Sequence, residues 1–281
     1  MVGPNRHQRV VVGIADTEDG ALGLALRRAE QHKCGLRVVH AFDVPGSGLH
    51  STYTPAVVAG FEEGGQAVLD RAREVISSLD PKVDVEYALV RGRASLILLD
   101  ESSSAREIVI GPDDSPWYVQ LFQGRVAKSL AAHGRCPVTV VPDGWSSEGS
   151  PELVIVALDG ESNAHGPVSY AFDVAQLEGR SLEMLHVVEP DKSGAAVMQR
   201  WGEMSHLLES WRRRFPQVRV RTVVVPGGAV AVSREGSAEA SLLVAGRSST
   251  HGVDLFARPF AQEVIRSSHC PVVVVPTDYR A

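Results

Sequence analysis

The sequence predicts an α/β protein built as two tandem doubly wound domains, each a five-stranded parallel sheet with helices on both faces, Rossmann-like in architecture. Three observations predict it. The chain has 281 residues, where a domain typically takes about 100–200. Its second half repeats the first. Within each half, short β-branched runs alternate with helical stretches, which implies right-handed crossovers and a parallel sheet.

The repeat is read from its ends. Arg135-Cys136-Pro137-Val138-Thr139-Val140-Val141-Pro142 matches His269-Cys270-Pro271-Val272-Val273-Val274-Val275-Pro276, at an offset of 134. Ile108–Gly111 matches Leu243–Gly246, and Val90-Arg91-Gly92 matches Val225-Pro226-Gly227. Val38-Val39-His40 matches Met184-Leu185-His186, and Val10–Ile14 matches Val154–Leu158. The offset drifts up to 146, as it does when loops change length and elements do not. Residues 1–142 and 152–281 are the expected domains, with the polar, turn-forming stretch 143–151 as linker.

In the first half the expected strands are Val10–Ala15, Leu36–Phe42, Val83–Val90, Glu107–Gly111 and Pro137–Val141. They are near-continuously apolar, as strands covered on both faces are. The expected helices are Ala21–Gln31, Val57–Leu79, Ala94–Ser102 and Val119–His133, the second carrying apolar residues at helical spacing. In the second half they are Pro167–Gly179, Ala195–Phe215, Ala229–Glu239 and Pro259–His269.

Composition narrows the function. Apolar residues make up 44% and charged residues 22%, ordinary for a globular protein. A formal net charge of −6 argues against a general nucleic-acid binder. Three cysteines without framework spacing suit a reducing compartment. The polar N-terminus lacks a signal-peptide stretch, and no apolar run nears the ~20 residues that cross a bilayer. The expectation is a cytoplasmic protein with no membrane partner.

In open parallel sheets, ligands bind beyond the carboxyl ends of the strands, where strand order reverses. After strand one the copies carry Asp16 and Asp159. A carboxylate there can take a ligand's donor; it can equally cap a helix or hold a turn. His40 and His186 close strand two in each copy, either facing the crevice or packing beneath it. After strand four the first copy reads Gly111-Pro-Asp-Asp114-Ser-Pro-Trp-Tyr-Val-Gln-Leu-Phe-Gln-Gly124-Arg125-Val126. Trp117 and Tyr118 in this loop read as a lid, a partner patch or local packing.

Together with the Cys-Pro-Val endings at 136–138 and 270–272, each shortly after a histidine, this loop resembles the universal stress protein family across essentially the whole chain, twice. The resemblance implies a fold like the adenine-nucleotide alpha-hydrolases and a stress-response role. It also implies that ATP either binds or is dispensed with, both kinds being found in the family. The family motif runs Gly, two residues, Gly, nine residues, then Gly followed by Ser or Thr. Glycines let backbone approach phosphates, and a helix amino end offers free N–H donors.

The first copy keeps Gly111 and Gly124, with Asp114 for the middle glycine and Arg125 for the hydroxyl residue. A carboxylate near phosphates costs on the order of 1–4 kcal/mol, and Arg125 offsets part of it. The second copy keeps Gly246 alone, with Ser249, Pro259 and Phe260 at the remaining positions. The expectation is weak ATP binding in the first domain, with phosphates on Gly111, Gly124 and Arg125 beside Val126, and the base near Asp16, Val39 and His40. None is expected in the second, although Asp159 keeps its carboxylate.

No Gly-Lys-Ser/Thr phosphate loop, Gly-x-Gly-x-x-Gly fingerprint or Gly-x-Ser-x-Gly elbow occurs. Nor does a Ser-Gly-Gly or His-x-Gly-His signature, so no enzyme is expected. His133 with Cys136, and His269 with Cys270, give two ligands each, too few for a zinc site. Arg212-Arg213-Arg214 complements a helix carboxyl end. The last strands, Val138–Val141 and Val272–Val275, are short apolar edges bracketed by prolines. Their antiparallel pairing would make an internal pseudo-dimer; a homodimer and an unknown protein partner are the other associations expected. The alternative function is an ATP-independent interaction module with both crevices degenerate.

Overall fold

The computed structural model describes residues 9–16, 19–43, 54–111, 126–158, 165–188, 194–247 and 260–280. Two compact units divide the chain, Met1–Gly144 and Trp145–Ala281. In the first unit the strands are β1 (Val10–Ile14), β2 (Leu36–Phe42), β3 (Val85–Arg91), β4 (Glu107–Ile110) and β5 (Val138–Val140). They alternate with α1 (Asp19–Gln31), α2 (Pro55–Ser78), α3 (Ala94–Glu101) and α4 (Val126–His133). The second unit has β6 (Leu153–Leu158), β7 (Ser181–Val188), β8 (Val220–Pro226), β9 (Leu242–Gly246) and β10 (Val272–Val275). Its helices are α5 (His165–Glu178), α6 (Gly194–Arg214), α7 (Ala229–Ser237) and α8 (Phe260–Ser267).

Within the first unit the order is β3-β2-β1-β4-β5, and within the second β8-β7-β6-β9-β10. Every strand pair inside either unit is parallel. The chain leaves β1 for β2 on one side and reaches β4 on the other, which puts the order reversal between β1 and β4, and likewise between β6 and β9. The central strands are mostly buried, and every residue of β1 is buried. In the second unit, alternate β6 residues serve two apolar clusters. Val154, Val156 and Leu158 join Val168, Phe172, Leu208 and Trp211 of α5 and α6. Ile155 joins Val264 of α8 and Cys270 on the other face. Phe172 and Trp211 stack with ring centroids 5.5 Å apart.

The two units can be superimposed residue by residue through their registers. Ile14 lies opposite His40, and Leu158 opposite His186. The turn after α1 has Lys33 at φ 51 with Cys34 N–H bonded to the Ala29 carbonyl. The turn after α5 has Gly179 at φ 65 with Arg180 N–H bonded to the Ala175 carbonyl. Arg37 of β2 faces Glu86 of β3, and the two form an ion pair. The equivalent residues of β7 and β8 are Glu183 and Arg221, paired at 2.6 Å with the charges exchanged.

Boundaries differ from expectation by a residue or two, each for a local reason. β3 begins at Val85 rather than Val83, because the chain still turns through Asp80 at φ 52, and Lys82 N–H bonds to the Glu30 side chain. β5 starts after Pro137, which supplies only its carbonyl to the ladder, to Ile108 N–H at 2.9 Å. α2 opens two residues earlier, on Pro55 in its first turn. Residues 119–125 of the expected helix before Cys136 lie outside the described residues. No helix among the described residues is long and apolar enough to cross a membrane.

Candidate functional site

β1, β2 and β4 deliver their carboxyl ends to one side of the first unit, and with them Asp16, His40 and Gly111. Asp16 lies two residues beyond β1. Its carboxylate is met by Arg71 of α2, Nη2 to Oδ1 2.8 Å, with both side chains largely exposed. His40 turns its ring back onto the sheet, with Nδ1 2.9 Å from the Ile14 carbonyl oxygen. A carbonyl only accepts, so Nδ1 carries the proton and a neutral ring leaves Nε2 as an acceptor.

Burial lowers the His40 pKa, and Arg71 pushes it the same way; the bond to Ile14 and the Asp16 charge oppose them. Burial dominates. α2 lies directly against this ring because position 65 is glycine. A Cβ there would stand 3.1 Å from His40 Cδ2 and 2.7 Å from a Leu89 methyl.

Val39 is buried, 1% exposed, and contributes its side chain to the core. Gly111 follows β4 directly and is buried. Val126 opens α4. Gly124, Arg125 and Asp114, like Trp117 and Tyr118, lie outside the described residues. Arg71 was missed in the sequence: 55 residues separate it from Asp16, and a cation within a long amphipathic helix has no local signature.

The second unit repeats the histidine contact, His186 Nδ1 to the Leu158 carbonyl at 2.8 Å, with the side chain buried. Elsewhere it diverges. The buried stripe Gly65, Leu69, Ala72 and Ile76 of α2 corresponds to Met204, Leu208 and Trp211 of α6 and Phe215 just after it. That alignment sets Ser210 where Arg71 stands. Gly246 closes β9, and a Cβ on it would lie 3.1 Å from the Pro167 ring in the first turn of α5. Asp159, Ser249 and Pro259 lie outside the described residues, while Phe260 begins α8.

The remaining candidates take structural roles. Cys136 and Cys270 are buried, and burial raises the Cys270 thiol to about 11. His133 Nδ1 stands 3.2 Å from the Ser129 carbonyl of its own helix. Arg212 Nη2 donates to the Val220 carbonyl at 3.2 Å, and Arg214 lies over the Trp211 and Phe215 rings.

A model of the universal stress protein family matches residues 6–142 and again residues 152–276. A universal stress protein of Mycobacterium tuberculosis is 26% identical over 291 aligned residues, covering 98% of each chain. One from Mycolicibacterium smegmatis is 24% identical, covering 95% of this chain and 96% of its own. The crystal structure of a universal stress protein from Archaeoglobus fulgidus shares the fold with a TM-score of 0.73 at 16% identity, over 96% of both chains. A functionally unknown protein from Pseudomonas aeruginosa gives 0.59 at 15% identity, over 96% of this chain and 92% of its own.

Proposed function

The chain belongs to the universal stress protein family in its tandem two-domain form, and from that premise we propose a non-catalytic stress-response sensor or regulator with one weak adenine-nucleotide site, in the first unit. The observation that carries the asymmetry is at Gly246. The Pro167 ring stands 3.1 Å from where a Cβ would lie, so one side of that glycine is crowded, which supports a poorer phosphate cradle in the second unit. In the first unit the carboxyl ends of β1, β2 and β4 bring together a carboxylate, a histidine acceptor and a glycine, with Arg71 adding a cation. Gly124 and Arg125 complete the phosphate side of this reading.

The second reading, an ATP-independent interaction module, is favoured by one contact. The Asp16 carboxylate is already engaged by Arg71 at 2.8 Å, so a ligand must compete for it.

Calorimetric titration with Mg-ATP, with AMP and GTP alongside, separates the two readings. The nucleotide reading expects one weak site per chain, and heat-silent titrations would leave the interaction module. Asp114→Gly is expected to tighten ATP binding, because it removes a negative charge from the phosphate path. Unchanged or weaker affinity would contradict the placement of the phosphates.

A further inference from the structure

We propose that His40 selects the ligand of the first unit by the direction of one hydrogen bond. The crevice takes a purine that offers an amino group at C6 and disfavours one that offers a carbonyl there. The inference deepens the nucleotide reading above and rests on it, since it needs the base to lie beside His40. A difference between the two units carries it.

Both histidine rings are fixed alike. Nδ1 of His40 donates to the Ile14 carbonyl at 2.9 Å, and Nδ1 of His186 to the Leu158 carbonyl at 2.8 Å. In each neutral ring the other nitrogen, Nε2, is an acceptor. The cover over that nitrogen differs. Position 65 of α2 is glycine, and a Cβ there would stand 3.5 Å from His40 Nε2 and 3.1 Å from Cδ2. Its absence thins the cover on that edge of the ring. His40 is accordingly only part-buried, and its Nε2 meets no hydrogen-bond partner among the described residues. The second unit sets Met204 where Gly65 stands, and there the histidine is buried, 4% exposed. The first unit thus keeps an acceptor for a ligand where its repeat closes the place with a side chain.

A ligand carbonyl brought to an accepting nitrogen leaves two lone pairs facing each other, each unpaired once water is displaced. An amino group at the same carbon donates instead. Protonation reverses the preference, because a charged imidazole donates from both nitrogens. Burial is the largest influence on the ring and keeps it neutral at pH 7. Two charges act on it among the described residues: Asp16, after β1, favours the proton, and Arg71 of α2 opposes it. β3 sets the apolar Leu89 opposite His40, and α1 and α3, which also pack on β2, add no charge that acts on the ring. Amino selection is therefore the state at neutral pH, and acid weakens it.

Calorimetric titration of the full chain with adenosine, inosine and purine riboside tests this, since the three differ at C6. At about pH 7.5 adenosine is expected to bind roughly three- to tenfold more tightly than inosine, the worth of one hydrogen bond, with purine riboside between them. The ratio should fall as pH drops through the midpoint of the His40 ring, followed by NMR on the same chain. Gly65→Ala, which sets a methyl 3.5 Å from Nε2, should lower the affinity for adenosine more than that for inosine. His40→Phe should remove the preference. If either variant fails to fold, the wild-type ratio and its pH dependence decide. Silence of every nucleoside overturns the nucleotide reading and this inference with it. Measurable binding with equal affinity for adenosine and inosine, or a ratio that holds steady across the His40 midpoint, overturns this inference alone.

Discussion

Arg71 closes over Asp16 with both side chains mostly in water, 48% and 73% exposed. Screening limits such a pair to about 0–1 kcal/mol. Arg71→Met is therefore expected to shift unfolding by less than about 1 kcal/mol in denaturant titration. The same change removes the Arg71 cation that a ligand must compete with at this carboxylate, so adenosine, which carries no phosphate, should bind up to about fivefold more tightly. A weaker adenosine affinity would show that Arg71 helps the ligand instead of competing with it. His40 is the other informative side chain. Burial lowers its folded pKa, so its contribution to stability is present above the unfolded value, about 6.5, and is lost as pH falls through the lower folded one. An NMR titration of the His40 ring should give a midpoint below about 6.5; a midpoint above it would mean that the bond to Ile14 and the Asp16 charge together outweigh burial. Cys270, at about 11, stays a thiol at neutral pH and should react slowly with alkylating agents until the unit unfolds.

Most elements were legible because their cause is local. Continuous apolar runs marked the buried strands, and a 3.6-residue period marked α2. The repeat itself predicted that His40 and His186 would occupy equivalent places, and each does bond the last carbonyl of the strand beside it. What stayed hidden was long-range. Nothing in the composition of α2 announces the Arg71–Asp16 contact, and nothing near Gly246 announces Pro167, which arrives from α5. Gly166 is a case of the same kind. A Cβ there would collide with the Pro276 carbonyl oxygen and stand 2.9 Å from that of Thr277, and both are backbone atoms that cannot rotate away. The segment after β10 is held onto α5 through this contact and the Tyr170–Tyr279 edge contact at 5.7 Å. Gly166→Ala is expected to destabilise the second unit by roughly 1–3 kcal/mol and to speed amide exchange through Tyr279. Unfolding at wild-type denaturant concentration would show that the segment yields without cost.

At the scale of the whole chain, two units share a frame yet are charged and filled differently, and the exchanged ion pair has a consequence for how the chain reaches its native state. A tandem repeat presents every folding strand with two near-identical neighbours, one from its own half and one from the other. Had both halves carried the pair with the same polarity, β2 could accept β8 in place of β3 at no electrostatic cost. As built, that error sets Arg37 against Arg221, and the reciprocal error sets Glu183 against Glu86. Like charges directly opposite in neighbouring strands repel. Polarity thus labels each half as it folds, much as a keyed connector refuses the wrong socket. A chain with Glu183→Arg and Arg221→Glu retains an ion pair in each unit but loses the label. It should unfold at close to the wild-type denaturant concentration while refolding with lower yield of native protein; an undiminished yield would mean that the halves sort themselves by other contacts.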